Sequence, residues 1–358
     1  MKYAIDIFPI AWFCLLLWGM KPVRPFSSFN SEYLSLKTGN YMRGFLAIGI
    51  ILHHLSKDTT GGFLERGFWN VGFLFVAVFF FYSGYGLQKS YMASDGYKKH
   101  FLSRRIVPIL ITYLIVNVMF VILLKATGHS VSYRNYVKLV KTGKPVVLYS
   151  WYIITIILFY IAFWILMELC RDHYRMMIIG AIIWFVIYTF FCRAVGYGVW
   201  WYNSAHLLVV GMFWALYEEK ILAVIKKIYP LITILTWALF ALTYWYVYIG
   251  PLSGHSRIYY VSVILQLLCA LFFVLGVILI LLKFTIGNSV LGFLGRSSLE
   301  IYLVQGLFFQ YFMKDKLSGI RSEALLALLV MTGSIALGAA LHYLLAKPLK
   351  HYKARISK

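Results

Sequence analysis

Runs of about 20 apolar residues, divided by short polar or basic stretches, recur along the whole chain, and each can cross about 30 Å of hydrocarbon as a helix. They cover 3–20, 38–55, 68–87, 106–124, 146–169, 176–192, 199–217, 229–248, 257–282, 290–313 and 324–345. This pattern predicts an all-α, polytopic transmembrane helical bundle of about ten core helices plus one N-terminal helix. The longest connections, 21–37, 88–105 and 125–145, leave no room for a large soluble domain. The expected organisation is therefore an N-terminal transmembrane helix and cytoplasmic linker (1–37), a membrane core (38–350) and a short basic tail (351–358). The first run opens like a secretory signal, but Lys21, Pro22, Arg24 and Pro25 follow it where a small-residue cleavage site would stand, so the helix is expected to be retained.

Composition removes the other classes. Apolar residues make up 62% and charged residues 13% of the 358, whereas a soluble domain is about half apolar and about a quarter charged. Lys and Arg number 34 against 12 acidic residues, a formal charge of +22. In a membrane protein, cytoplasmic loops hold such an excess. Lys21, Arg24, Lys37, Lys89, Lys98, Lys99, Arg104, Arg105, Arg171, Arg175, Lys220, Lys226, Lys227, Lys283 and the C-terminal lysines fall on one side. This predicts an integral, multi-pass plasma (inner) membrane protein with a cytoplasmic C-terminus and the N-terminus opposite. The loop with Lys125, Arg134, Lys138, Lys141 and Lys144 runs against that rule. A basic rim suits membrane lipid headgroups or a phosphate-bearing ligand, no nucleic-acid module is visible, and a homo-oligomer is compatible with the chain. Cys14, Cys170, Cys192 and Cys269 lie far apart with no metal-ligand spacing, so neither disulfides nor a metal site is expected.

Ionisable groups inside a span are costly and point to function. In 38–55, Arg43 and His54 stand eleven residues apart, close to three helical turns, and so share one face about 16 Å apart along the axis. His53 is turned away by about 100°. Arg43 suits a phosphate or carboxylate, and His54, an imidazole titrating near neutrality, suits general-base work. A long, thin donor held at one end and reactive at the other would bridge them, and coenzyme A thioesters have that shape.

Arg43-x10-His54, opening with Arg-Gly, resembles the first core helix of the acyltransferase family 3 integral-membrane proteins. Further segments agree in order: Val76 to Tyr85 with Phe79-Phe80 and Ser83-Gly84-Tyr85, the basic Arg104-Arg105-Ile106-Val107-Pro108, Ser150-Trp151-Tyr152-Ile153, and Gly295 to Gln305 with Ser298, Tyr302 and Gln305. The resemblance spans about residues 38 to 350 and implies O-acyl transfer from a cytoplasmic acyl-CoA, acetyl-CoA being the simplest, to a hydroxyl of a cell-envelope, exported or lipid-linked carbohydrate. On that reading His54 is the catalytic base and Arg43 holds the donor, with Ser83, Gly84, Tyr85, Arg104 and Arg105 at the donor site and Trp151, Tyr152, Ser298, Tyr302 and Gln305 at the acceptor. An acyl-His intermediate is the mechanistic variant. Three positions depart from the family pattern, Ala77, Gln305 and Ala346, and no catalytic role is carried onto them from it.

Bland alternatives stand beside each assignment. Arg43 can snorkel to headgroups, Gly84 can serve helix packing, Arg104 and Arg105 sit where charge topology alone would put them, and the boundary Trp and Tyr residues form an interfacial belt. Asn203 and His206, near the outer end of their span, read as a hydrogen-bonded structural pair, with contact to an acceptor as the alternative. A secondary transporter or flippase would share the spans and buried charge but should show two similar halves, and none are visible. An inner-membrane polysaccharide polymerase would need a large outer loop, where 125–145 offers only His129 and Arg134.

Overall fold

The computed structural model describes residues 4–25, 27–94, 96–129, 142–250 and 259–356. Arg134, Lys138 and Lys141 of the basic loop, Arg257 and Lys358 lie outside the described residues. The described chain is an all-α bundle of twelve helices: α1 Ile7–Leu17, α2 Leu36–Asp58, α3 Gly72–Met92, α4 Phe101–Ala126, α5 Trp151–Cys170, α6 Tyr174–Ala194, α7 His206–Lys227, α8 Tyr229–Tyr248, α9 Tyr259–Lys283, α10 Ser289–Arg296, α11 Ser298–Phe308 and α12 Glu323–Arg355. Six helical segments, 97–126, α5, α6, α8, α9 and α12, are long and apolar enough to cross a membrane, and the chain is an integral multi-pass membrane protein.

A helix falls on each expected run in order, six of them long and apolar enough to be spans, and several differ in form, the run expected over 199–217 being a 3-10 turn at Val199–Trp201 followed by α7. Helix α1 has only 11 residues, about 16 Å, roughly half of what crossing hydrocarbon needs. Contacts at both ends extend its reach: the Asp6 carboxylate accepts from the backbone of Phe63 (2.8 Å) and Glu65 (3.0 Å), and Asn288 Nδ2 donates to the carbonyls of Leu15 (2.9 Å) and Trp18 (2.8 Å). The tenth run is broken at Ser297 into α10 and α11, then widens into a π turn over Phe309–Lys314. Close packing explains the break. A Cβ on Gly295 would stand 1.9 Å from the Asn40 carbonyl, so α10 lies in backbone contact with α2 and the chain turns there to re-enter the bundle. At the C-terminus, α12 continues through the expected tail as far as Arg355.

Helices α2 and α3 form the centre, and most of their residues are buried. The six apolar segments around them have only 17% to 44% of their apolar windows buried, which leaves the rest to lipid. Glycine brings α3 and α7 together: a Cβ on Gly84 would lie 1.8 Å from the Leu208 carbonyl, and one on Gly211 would lie 2.2 Å from that of Phe81. Successive long helices alternate in direction, giving the bundle two ends. The basic end gathers the 18–35 linker, the α3–α4 turn and the C-terminus. There Lys21–Pro22 (β1) pairs antiparallel with Phe284–Thr285 (β2), and Asn30 Nδ2 donates to Leu281 O at 3.0 Å. The far end holds Asp6, the 59–71 loop, Tyr149 and the start of α12.

Candidate active site

Helix α2 positions the charged pair. Ser35 caps it, its Oγ accepting from Thr38 N at 3.2 Å, and the 23 residues that follow run from one end of the bundle to the other. Arg43 opens into a cavity at the basic end and His54 into a second cavity at the far end.

The basic-end cavity has a volume of about 900 Å³, and Arg43, Lys89, Arg105, Arg296 and His342 line it without any carboxylate. Lys89 is neutralised by Glu218 at 2.6 Å. Arg43 makes no ion pair among the described residues, and its Nη2 reaches only Asn40 Oδ1, at 3.5 Å. A cation held this far into a bundle without a counter-charge leaves its binding capacity for an anion.

Of the residues assigned to the donor site, Ser83, Tyr85 and Arg105 line this cavity. The Tyr85 hydroxyl is already committed, donating to Glu218 at 3.1 Å, and Tyr33 donates to the same carboxylate at 2.6 Å. Arg105 lies over the Tyr97 ring, 5.8 Å from its centroid. Gly84 and Arg104 are outside the lining, Gly84 because its open face is filled by the Leu208 backbone. Tyr152 and Ser298, assigned to the acceptor, line the basic-end cavity instead.

The far-end cavity, about 660 Å³, is bordered by His53, His54, Lys57, Lys144, Tyr149 and Trp151 among others. His54 Nδ1 is buried without a hydrogen-bond partner. Its ring stacks on Tyr149, centroids 3.7 Å apart and planes 16° from parallel. Tyr149 sits at φ 65°, a left-handed conformation costly for a tyrosine. The Tyr302 hydroxyl holds it there by donating to the Tyr149 carbonyl, and its own hydroxyl points to Asp58 Oδ2 at 3.5 Å. Burial, aided by Asp58, pushes the Tyr149 phenol above its ordinary value, so it remains a donor. Although a third of a turn away from His54, His53 also borders the cavity. Its Nδ1 is tied to Phe68 O at 2.8 Å.

Ile50, Val76 and Tyr302 line both cavities. They stand between the compartment of Arg43 and that of His54. Tyr302 is thus at once a wall residue and the support of the Tyr149 carbonyl.

Gln305 lines neither cavity: it is fully buried and donates from Nε2 to Tyr302 O at 2.9 Å. Asn203 and His206 bond to Gln266 Oε1 (2.9 Å) and Leu267 O (3.1 Å), joining the start of α7 to α9. Among the described residues, no group of three or more His, Cys, Asp or Glu side chains is placed to hold a metal.

Sequence reasoning missed Lys57, Tyr149, Arg296 and His342. Lys57 had a legible signal, three residues beyond His54 and so on its face. Arg296 lay inside a quoted segment without being assigned a role. Tyr149 and His342 are brought in by tertiary packing, the latter 3.3 Å from Glu300 across α11 and α12. Neither a curated protein nor a solved structure matches the chain. The acyltransferase domain of acyltransferase family 3 matches residues 39–343, a segment that contains Arg43, His54 and all but Leu34, Ser35 and Leu36 of the two cavity linings, though not the last residues of α12, and the chain belongs to that family.

Proposed function

We propose that the chain is an O-acyltransferase that takes its acyl group from a cytoplasmic acyl-CoA, acetyl-CoA in the first instance, and gives it to a hydroxyl of an extracytoplasmic or lipid-linked carbohydrate. The observation that carries this is the pair of cavities, a cationic one at the basic end and one holding His54 at the other, with three lining side chains in common. The positive-inside rule makes the basic end cytoplasmic, the side on which acyl-CoA is available.

In this reading Arg43 holds the donor's phosphates or thioester carbonyl, with Arg105 and Arg296 at the mouth. The acyl end passes the wall of Ile50, Val76 and Tyr302 to reach His54. Neutral His54 takes the proton of the acceptor hydroxyl as its oxygen attacks the thioester carbon. The carbon–sulfur bond breaks, coenzyme A leaves as the thiolate, and the proton on His54 returns to that sulfur. Confinement of both reactants supplies much of the rate.

The test is thioester consumption by the full chain in lipid, offered labelled acetyl-CoA and a panel of sugars, for the wild type and His54→Ala. Turnover in the wild type and its loss in a folded variant support the reading. Equal turnover in both removes His54 as the base, and solute flux without thioester consumption favours a transporter.

A further inference from the structure

The far-end cavity has a charge that general-base catalysis does not require. Lys57 and Lys144 line it, and no Asp or Glu does. Asp58, the nearest carboxylate in sequence, is engaged by Lys314 and faces the Tyr149 hydroxyl. Lys57 follows His54 by three residues on the same face of α2, about 4.5 Å farther out. Lys144 enters from the α4–α5 connection, whose end is fastened by the Tyr197 hydroxyl donating to Thr142 O.

The lining is also aromatic. Trp201 stacks on Tyr197 at 4.2 Å and lies 5.9 Å from Trp151. Flat rings of this kind cover the apolar face of a sugar while leaving its hydroxyls free to bond. The sequence adds an independent observation. From residue 125 to 144 the chain has five Lys and Arg and no Asp or Glu, on the side that the positive-inside rule leaves poor in cations.

We infer that the acceptor is an anionic saccharide, one whose sugar carries a carboxylate or phosphate. Lys57 and Lys144 bind the acid group, and Trp151 and Tyr197, the latter backed by Trp201, bind the sugar face, which presents a neighbouring hydroxyl to His54. This rests on the acyl-transfer reading. It gives the excess of Lys and Arg over residues 125–144 a use, the attraction of a negatively charged polymer. Lysines that merely met lipid headgroups would have no reason to line the cavity that contains His54.

The test is a binding measurement, so that it does not depend on turnover. The full chain is placed in phosphatidylcholine nanodiscs, and quenching of tryptophan fluorescence is titrated with a galacturonic acid trisaccharide and with its neutral galactose counterpart. The wild type should prefer the acidic sugar by about fivefold, as two partly exposed ammonium groups would give, and the preference should shrink in about 0.5 M salt. In the double variant Lys57→Gln, Lys144→Gln it should fall below about twofold, with melting temperature reporting that the variant is folded. Equal affinity of the wild type for both sugars, or a preference that survives in the folded double variant, overturns the inference. So does a difference between wild type and variant that appears only in phosphatidylglycerol nanodiscs, since the lysines would then serve headgroups. Thioester consumption in the same samples is scored separately: its absence defeats the acyl-transfer reading, while the sugar preference still decides the charge of the ligand.

Discussion

His54 and Tyr149 lie ring on ring, 3.7 Å between centroids, and the Tyr149 carbonyl is in turn held by the Tyr302 hydroxyl. The imidazole is thus oriented by a residue whose backbone is strained and whose strain is maintained from the wall between the two cavities. Orientation of a base by a locked neighbour is what proton transfer in a confined site requires.

Removing only the Tyr302 hydroxyl tests that chain of contacts. Tyr302→Phe keeps the ring in the wall and loses one hydrogen bond, a cost of about 1 kcal/mol in stability. Turnover should fall by about tenfold with donor affinity unchanged. Donor titration alongside steady-state kinetics separates the two effects, and a loss of donor affinity in place of turnover would show that Tyr302 serves the basic-end cavity alone.

Arg43 should behave in the opposite way. Arg43→Gln removes the buried cation that has no counter-charge and should weaken acyl-CoA binding by at least tenfold, with Arg43→Lys recovering only part because it lacks the planar fork. Isothermal titration with a non-transferable thioether analogue reads this directly.

The glycines of α3 give a packing test. Gly84→Ala would place a methyl 1.8 Å from the Leu208 carbonyl, a backbone atom that cannot rotate away, and should cost about 3 kcal/mol or prevent folding. Gly86→Ala meets nothing within 4 Å and should leave the melting temperature unchanged or slightly raised. Thermal denaturation in detergent compares the two.

Legibility followed burial and periodicity. The spans were readable because lipid-facing helices are apolar all round, and Arg43 and His54 because a charge in such a run has no local reason to be there. The break at Ser297 was hidden, since α10 and α11 together read as one apolar run and only the contact of Gly295 with Asn40 forces the turn. The two-cavity arrangement was equally invisible. Ser298 and Tyr152, read as acceptor residues, line the basic-end cavity, and Tyr302 borders both. That distribution depends on how α2, α3, α5 and α11 cross, which no local pattern encodes.

Acidity of the medium should act through Glu65 in the 59–71 loop. Burial raises its carboxyl to about 7, with Glu323 and Asp6 adding repulsion, while Thr59 donates to it. An unfolded Glu titrates near 4.3, so the fold favours the protonated form. That contribution is fully present below pH about 4 and is lost as pH rises through about 7. Glu65→Gln keeps a neutral side chain at every pH, so its melting temperature relative to the wild type should rise between pH 5 and pH 8. A constant difference across that range would show that Glu65 is ionised throughout.

In the proposed reaction the acyl group crosses from the Arg43 compartment to His54. Proteoliposomes with the basic end outward, labelled acetyl-CoA in the bath and acceptor sugar sealed in the lumen test it most directly. Labelled ester should form on the lumenal sugar and be abolished by His54→Ala. Label that appears only when donor and acceptor share one compartment would contradict it.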